Sequence, residues 1–570
     1  MPRPRDDSSR TRVAVALLAV AALALVARVW ALGWRVAHQD EARVAHWVLN
    51  YMELGGWEYR AIIHGPFLPH VNGVVFSVLG PSDFTMRLVV AVVGGLLPLA
   101  AWLYRDYLSD AEVVAVGAFF ALNPVLLYYS RFMRNDLLLA AFMFAALGFF
   151  LRALSTGKAR YLYLGALPFA LAFTTKENSL LYPVCWLGAL VLVFDGRLVL
   201  AGASDDATRL GTARDRLREA LRAAWRYKLH LSLAALETAV VVVAFYAPKP
   251  EFYRIPQNPG LLPEVVGAAT LGTFEEFTKR WTATDTHAHS YIEFLKHDLT
   301  VLSVGAAALV AFALLGFFYE RYGRERPRAI VPFCFYWGVF SLFGYPAVTD
   351  ITAGWTAVNA VVPLAVPAGV GVGLVFEYGR SAVATGNLAR ARVAVVVLLV
   401  ATAGTGAVAA QTSYVNAQGP GNPLIQYAQS SGNMQPTLNE IEEISAEHDG
   451  VDVMFYGDSF YAPNDFDRDL QLQIDDYDDP NDVGGGYQSW FDRLPLPWYF
   501  EQYDTNVSST LQTETLLEHE PPVVVVAEGD EDNLEADLTE RGYDRRVFPR
   551  YQFAQDPGPL VFYVSENATL

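Results

Sequence analysis

Cysteine and lysine are the residues that this sequence has least of. Among 570 residues there are 2 cysteines and 6 lysines. Cys185 and Cys334 both fall inside long apolar stretches, which excludes a disulfide framework. The sequence also lacks a P-loop, a dinucleotide-binding fingerprint and internal repeats. It therefore gives no sign of a nucleotide-binding protein or a repeat protein.

Positive charge is scarce in the last part of the chain. Residues 411–570 contain 31 Asp and Glu against 6 Arg and no Lys, a net charge of about −25, whereas the chain as a whole carries −18. A dense carboxylate surface of this kind stays hydrated at high salt, so the composition favours a halophilic source. The alternative is an acidic extracytoplasmic domain in ordinary salt. Basic loops elsewhere fit an anionic membrane surface and carry no nucleic-acid signal.

The apolar content of 53% is that of a membrane protein. A helix needs roughly 20 apolar residues to cross a bilayer. We predict eleven such segments: 13–33, 84–104, 111–129, 136–153, 161–175, 180–197, 229–247, 298–319, 329–346, 356–376 and 393–411. The first lacks the short apolar core and small-residue cleavage site of a signal peptide, so it is predicted to be retained.

Arginine and lysine in short loops predict the orientation of the chain. They recur in alternate loops from the N-terminal tail onward, which puts the N-terminus in the cytoplasm of a multi-pass plasma-membrane protein. The predicted domains are a basic cytoplasmic tail (1–12), a transmembrane domain (13–411) with outer loops 34–83 and 248–297, and an acidic extracytoplasmic domain (412–570).

The last domain is predicted to be a small α/β unit. Runs rich in β-branched or aromatic residues at Val451–Tyr456, Pro522–Ala527 and Leu560–Val564 are typical of strands. The stretch Glu531–Arg541 between two of them is typical of a helix. The fold class expected for the whole chain is thus an α-helical polytopic membrane protein with a C-terminal α/β domain.

The first long loop carries adjacent carboxylates, Asp40 and Glu41, and later a His64-Gly65-Pro66 corner. Between them, apolar residues recur at helical spacing: Val44, Trp47, Val48, Tyr51 and Met52. This spacing predicts an amphipathic helix along the membrane surface.

The predicted topology brings more charged residues to the same membrane face, close to where later helices begin. They are Arg87, Arg131, Arg134, Asp136, Lys176 and Glu177. Each could be an interfacial anchor or part of an ion pair, but their number at successive turns favours a cleft for a phosphorylated substrate. Cations can hold a phosphate and stabilise its charge as it leaves, and a carboxylate can take a proton from an attacking hydroxyl.

A divalent metal ion is left open as a cofactor. The pair His287 and His289 lacks further ligands nearby, and the acidic loop Asp475–Gly486 lacks the spacing of an EF-hand. Phosphate is already a good leaving group, so the chemistry does not require a metal. A site on the outer face has no access to cytoplasmic nucleotide sugars, so its donor is expected to be lipid-linked.

The order of these motifs resembles a known family. An Asp-Glu pair, a His-Gly-Pro corner, an Arg opening the second helix, Tyr-Ser-Arg-x-x-Arg-x-Asp before the fourth and Thr-Lys-Glu before the sixth are similar to GT-C membrane glycosyltransferases. Within that superfamily the sequence looks like the glycosyltransferase family 39-like group of protein O-mannosyltransferases and aminoarabinose transferases. The likeness extends to haloarchaeal flippase-activity-associated proteins of N-glycosylation, and it covers about residues 13–200.

The resemblance implies roles for the charged residues. Asp40 would be the general base, supported by Glu41. Donor phosphate would be held by Arg131, Arg134, Asp136 and Lys176, and the pocket would be shaped by His64, Arg87 and Glu177. The family usually shows His-Pro-Pro and Thr-Lys-Gly, where this sequence has His-Gly-Pro and Thr-Lys-Glu, which leaves the roles of the corner and of Glu177 open.

The implied reaction moves a sugar from a polyprenyl (dolichyl) phosphate to a lipid-linked or protein-linked glycan acceptor. A flippase, or a flippase-associated protein, could use the same cavity without chemistry. Transporters often show internal repeats and helices broken at mid-membrane, and the absence of a visible repeat here favours the enzyme. A third interpretation is a scaffold that recruits other glycosylation-pathway proteins.

Overall fold

The computed structural model describes residues 7–60, 64–200, 214–215, 218, 222, 225–282, 290–349, 351–462, 486–531, 534–551 and 558–566. Within these ranges eight helices are long and apolar enough to cross a membrane: Asp7–Val29, Asp83–Tyr104, Asn135–Thr156, Glu177–Phe194, Lys228–Tyr246, Ile330–Val348, Gly354–Ala384 and Leu388–Val415. Each corresponds to a predicted span. The chain is therefore a multi-pass helical membrane protein, as its composition indicates.

The other three predicted spans differ from the expectation. Segment 298–319 is a pair of helices, Tyr291–Gly305 and Ala307–Gly323, bent by 94°. Segment 111–129 is interrupted at Asn123, whose side chain caps a new helix from Pro124 by accepting a hydrogen bond from the Leu126 amide at 3.2 Å. Helix Arg160–Phe173 has 14 residues, too few to cross a bilayer unaided. Among the described residues, eight helices are long and apolar enough to span a membrane, or nine if the bent pair is one span, where the sequence predicts eleven.

The chain divides into two compact units that do not follow its linear order. The first contains Met1–Trp30, Gly56–Leu68 and Leu88–Val415. The second contains Ala31–Gly55, Pro69–Arg87 and Asn416–Leu570. Two pieces of the predicted outer loop 34–83 therefore fold with the C-terminal domain.

The first unit is built around the helix Gly354–Ala384, whose most apolar window is 78% buried. Glycines let a neighbouring helix approach it closely, because a Cβ at Gly316 would lie 2.0 Å from the Pro367 carbonyl oxygen. Spans Lys228–Tyr246 and Leu388–Val415 are only 11% buried, as expected of helices that face lipid. Further helices in this unit are Asp110–Leu122, Pro124–Tyr129, Arg160–Phe173, Glu251–Arg254, Leu262–Gly267 and Thr273–Thr282.

The second unit contains the helix Gln39–Leu54, which confirms the helical spacing of its sequence. A capping box starts it: the His38 side chain accepts from the Asp40 amide, and the Glu41 carboxylate accepts from the His38 amide. The prediction that its apolar face lies along the membrane surface is wrong. This face is buried inside the protein, since Val44, Trp47 and Val48 are at most 6% exposed. Helix Leu496–Tyr503 of the same unit packs against this helix.

A five-stranded mixed sheet forms the core of the second unit. Its order is β3-β2-β4-β7-β5, where β2 is parallel to β3 and β4 while β7 is antiparallel to β4 and β5. The strands are β2 Val453–Tyr456, β3 Val507–Thr510, β4 Val523–Ala527, β5 Tyr543–Phe548 and β7 Leu560–Ser565, and a separate pair joins β1 Gln429–Ser430 to β6 Arg550–Tyr551. Every residue of β4 is buried, so both faces of the sheet are covered. The flanking helices are Gln435–Glu447, Gly486–Asp492, Leu496–Tyr503, Thr513–His519 and Glu535–Glu540.

Candidate functional site

Three of the charged residues singled out in the sequence meet in the first unit. The Asp136 carboxylate, 1% exposed, lies 3.2 Å from the Lys176 ammonium and 3.7 Å from Nε of Arg134. Asp136 occupies the first turn of helix Asn135–Thr156, where a carboxylate is favoured by the helix dipole. Lys176 lies in the extended chain directly before the turn Glu177–Leu180. One buried carboxylate thus holds a lysine and an arginine together.

Both cations of this cluster lie over the indole ring of Trp355. The Arg134 guanidinium carbon lies 3.6 Å from the centroid of the indole ring, and the Lys176 ammonium lies 5.8 Å from it. The ring is 2% exposed and belongs to the short helix Gly354–Thr356. Cations over an aromatic face gain electrostatic attraction to the ring. No pattern in the sequence signals the contact of Trp355 with the two cations.

The His64 corner is packed against the chain that leads to Lys176. The amides of Gly65 and Phe67 donate to the carbonyls of Thr175 and Thr174, at 3.1 and 2.9 Å. A Cβ at Gly65 would lie 2.4 Å from the Thr174 carbonyl oxygen, so this approach requires glycine. The corner therefore fixes the backbone directly before Lys176.

His64 and Glu177 form a pair beside this corner. Nδ1 of His64 lies 3.2 Å from the Glu177 carboxylate, which also accepts a hydrogen bond from the Tyr59 hydroxyl at 2.8 Å. Burial and the neighbouring Lys176 lower the pKa of His64, against the opposing effect of Glu177. His64 is thus kept neutral at physiological pH. Glu177, which replaces the glycine usual in the family, is thus the partner of His64 and Tyr59.

Arg131 has contacts of a different kind from those of Arg134. Its Nη1 donates to the carbonyls of Ala27, Arg28 and Trp30 at 3.2, 2.9 and 2.7 Å. Its guanidinium carbon also lies 4.6 Å from the centroid of the Tyr414 ring. A cation at the C-terminal end of a helix satisfies unpaired carbonyls and the helix dipole. These contacts give Arg131 a structural role, and donor binding by Arg131 stays a prediction.

Asp298 is a buried carboxylate at the predicted start of the span 298–319. The structure includes it in the helix Tyr291–Gly305, where it is 1% exposed. Its Oδ1 accepts a hydrogen bond from the Thr356 hydroxyl at 2.7 Å, next to Trp355. No periodicity of the sequence signals this contact, because the two residues are 58 positions apart.

In the second unit the two adjacent carboxylates have separate environments. Glu41 is fully buried and accepts from Nε and Nη2 of Arg87 at 2.9 and 3.0 Å and from Arg35 at 3.2 Å. Burial alone would raise the pKa of the Glu41 carboxyl, but Arg87 and Arg35 outweigh it and lower this pKa to about 2. Glu41 is therefore an anion at neutral pH, held between two cations. The sequence analysis missed Arg35, which no motif distinguishes.

Asp40 is the more accessible member of the pair. Its side chain is 22% exposed and its Oδ1 lies 3.0 Å from Nη2 of Arg43, one turn along the same helix. Its amide donates to Nδ1 of His38 at 3.1 Å. Asp40 is therefore the more exposed carboxylate of the two, whereas Glu41 is paired with two arginines inside the fold. The role of Asp40 as general base stays a prediction.

The Arg87 side chain also fixes the backbone that leads to the acid pair. Its Nη1 donates to the carbonyls of Leu32 and Arg35, at 3.0 and 2.9 Å. Arg87 is fully buried and opens the second span, as the sequence placed it. Arg87 therefore holds the backbone before the acid pair in place within this unit.

Among the residues that the structure describes, no group of three or more His, Cys, Asp or Glu could hold a metal ion. His287 and His289 lie outside the described residues, and so does the acidic loop Asp475–Gly486 except for its last residue.

Two parts of the chain match known protein families. Residues 63–202 match the family described as dolichyl-phosphate-mannose-protein mannosyltransferase. Residues 434–565 match the family described as Agl23 flippase-associated protein C-terminal domain. No curated protein matches the chain significantly.

Solved structures share the fold over nearly the whole chain. ArnT from Cupriavidus metallidurans in the apo state is 15% identical with a TM-score of 0.55, and its complex with undecaprenyl phosphate is 14% identical with a TM-score of 0.56. In both comparisons 97% of this chain and 98% of that chain are covered. The archaeal oligosaccharyltransferase AglB from Archaeoglobus fulgidus, in complex with an inhibitory peptide and a dolichol-phosphate, is 15% identical with a TM-score of 0.52. That comparison covers 97% of this chain and 75% of the other.

Proposed function

We propose that the chain is a membrane glycosyltransferase of the GT-C type, which transfers a sugar from a polyprenyl (dolichyl) phosphate to a glycan acceptor in protein glycosylation. The acceptor would be a lipid-linked or protein-linked glycan. ArnT has been solved with undecaprenyl phosphate and AglB with dolichol-phosphate, which motivates the choice of donor.

The observation that carries the proposal is the cluster of Lys176 and Arg134 around Asp136 on the Trp355 ring. A lysine and an arginine side by side offer several donors to phosphate oxygens. Asp136 and the indole fix both cations before the ligand arrives, so less ordering is required on binding. The same cations would stabilise the charge that develops on the leaving phosphate.

Asp40 would supply the base. In the proposed step the acceptor hydroxyl gives its proton to the Asp40 carboxylate and its oxygen attacks the anomeric carbon with inversion. The new glycosidic bond forms as the bond to phosphate breaks, and polyprenyl phosphate leaves. The partial exposure of Asp40 allows this role, and Glu41 supports it by fixing the start of the helix.

Glycan analysis of cells carrying Asp40→Asn tests the transfer reaction. A secreted glycoprotein would lose one sugar, and the polyprenyl-phosphate donor would accumulate, at equal abundance of the variant in the membrane. Glu53→Gln is the matched control, because Glu53 is an exposed carboxylate on the same helix. Unchanged glycans in Asp40→Asn, together with altered glycans in the deletion strain, would refute transfer by Asp40.

The match of residues 434–565 to a flippase-associated domain favours one alternative, a flippase or a flippase-associated protein for lipid-linked sugars. In that case deletion would change the distribution of the lipid-linked sugar between leaflets, while Asp40→Asn would not. Recruitment of other glycosylation-pathway proteins by the C-terminal domain would likewise survive Asp40→Asn. The same strains therefore separate the alternatives.

We also propose that the N-terminus is cytoplasmic and that residues 412–570 lie outside the cell. Basic residues from five segments predicted to be cytoplasmic line one cavity of the first unit: Arg12, Arg105, Arg152, Arg328 and Arg380. An impermeant thiol reagent should label Asp504→Cys in intact cells but Asp110→Cys only after permeabilisation. The reverse pattern would invert the topology. The halophilic, archaeal source stays a prediction.

A further inference from the structure

The second unit joins the segment before Asp40 to residues of the C-terminal domain. Gln418 makes reciprocal hydrogen bonds to Val36: its Nε2 donates to the Val36 carbonyl at 3.0 Å, and its Oε1 accepts from the Val36 amide at 3.2 Å. The next amide, that of Ala37, donates to the Tyr499 hydroxyl at 2.7 Å. Nε2 of His38 lies 2.5 Å from the Tyr427 carbonyl oxygen. Three consecutive residues before the acid pair are therefore bound by residues more than 380 positions away.

Tyr499 is held from the other side by a carboxylate. Its hydroxyl donates to Oδ2 of Asp83 at 2.8 Å, and the indole Nε1 of Trp498 donates to Oδ1 at 2.8 Å. Trp498 is fully buried and Tyr499 is 3% exposed. Burial, and then the charge of Asp83, raises the pKa of Tyr499 far above its usual value, so the hydroxyl keeps the proton that it donates. Ala37, Tyr499 and Asp83 thus form a continuous chain of hydrogen bonds.

Arg87 lies one helical turn after Asp83 and completes the support. Arg87 binds Glu41 and the carbonyls of Leu32 and Arg35. It therefore holds the same segment that Gln418 and Tyr499 bind at Val36 and Ala37. The helix that carries Asp40 begins two residues later, and its cap is His38. A shift of this short segment would therefore move Asp40.

We propose that Tyr499 and Gln418 of the C-terminal domain are positioning residues that hold the Asp40 carboxylate in its working geometry. The inference rests on the proposed function, since it assumes that Asp40 acts in transfer. It gives the domain a role within the chain itself, in addition to any partner that it binds. Neither residue needs to touch donor or acceptor.

Tyr499→Phe tests the proposal because it removes one hydroxyl and keeps the ring. Tyr503→Phe is the matched control, one turn further along the same helix. In purified full-length protein with a dolichyl-phosphate sugar as donor, we expect kcat of Tyr499→Phe to fall about 10-fold to 100-fold, the cost of leaving a buried group without its partner. The KM for the donor should stay within about 2-fold of wild type, whereas weakened donor binding would raise KM instead.

Hydrogen exchange of the peptide that contains residues 34–42 gives a second readout. Tyr499→Phe and Gln418→Met should each speed exchange at Ala37 or Val36, and Tyr503→Phe should leave it unchanged. If kcat fell only because less of the variant is folded, hydrogen exchange in the folded protein would stay unchanged. Exchange therefore separates loss of positioning from loss of folded protein. If kcat is preserved, or if donor KM rises at constant kcat, the positioning role is refuted.

The outcome also distinguishes this inference from the proposed function. If Asp40→Asn abolishes transfer while Tyr499→Phe and Gln418→Met are as active as wild type, the base assignment stands and the positioning role fails. If Asp40→Asn is fully active, the proposed function itself fails.

Discussion

Substituting alanine for Gly65 probes how the His64 corner supports the cation cluster. An ideal Cβ at this position lies 2.4 Å from the Thr174 carbonyl oxygen and 2.7 Å from the Thr175 carbonyl carbon, where ordinary contacts begin at 3.4 Å. The neighbours are backbone atoms and cannot rotate away. The chain must therefore move by about 1 Å, at the cost of about 1–3 kcal/mol that overpacking usually carries.

The displaced atoms belong to the two residues directly before Lys176. We therefore expect Gly65→Ala to lower the free energy of unfolding by about 1–3 kcal/mol and to weaken the binding of dolichyl phosphate. A misplacement of about 1 Å can cost up to about 100-fold in a site that depends on geometry. Thermal unfolding and equilibrium binding in detergent measure the two effects.

Gly404→Ala is the control for this substitution. Gly404 lies in the helix Leu388–Ala410, and a Cβ there would meet nothing within 4 Å. This control should bind dolichyl phosphate as wild type does, with equal or slightly higher stability. If Gly65→Ala had wild-type stability and affinity, the corner would not constrain Lys176 and the reasoning would fail.

Two other predictions concern buried charges. Because the Glu41 carboxyl has its pKa lowered to about 2 in the folded chain, it stabilises the fold above its unfolded pKa, and this stability is lost as pH falls from about 4.5 to 2, on the order of 3 kcal/mol. Thermal unfolding of wild type against Glu41→Gln over this pH range measures it, and parallel curves would contradict the assignment. Lys176→Met should weaken dolichyl phosphate binding about 10-fold or more, whereas Lys279→Met, at an exposed lysine, should not. Equal affinity of the two variants would remove Lys176 from the donor site.

Much of the fold follows from local pattern. The apolar segments are long and continuous, so eight spans and the helix Gln39–Leu54 could be predicted from their periodicity. Strands β2, β4 and β7 are buried and rich in apolar residues, and they were predicted as well. Strands β3 and β5 were missed because both lie at the edges of the sheet, where polar residues such as Ser508 and Arg545 replace the apolar pattern.

The partners of the site residues could not be predicted. The Glu41 carboxylate and Arg87 are 46 positions apart, and Asp136 and Lys176 are 40 apart. A sequence shows that each charge needs compensation but not which residue supplies it. The bend between Gly305 and Ala307 was also missed, because apolar helices on both sides of it continue the same hydropathy pattern.

The hydrogen bond from Ala37 to Tyr499 has a consequence for biosynthesis. The two residues are 462 positions apart. At a synthesis rate of about 5–20 residues per second, Tyr499 is synthesised about 20–90 seconds after Ala37. During that time the loop has emerged without the contacts that shape it. Assembly of the second unit is therefore a late, post-insertion event, and a chain that stops short of Tyr499 would insert its helices yet never complete this unit.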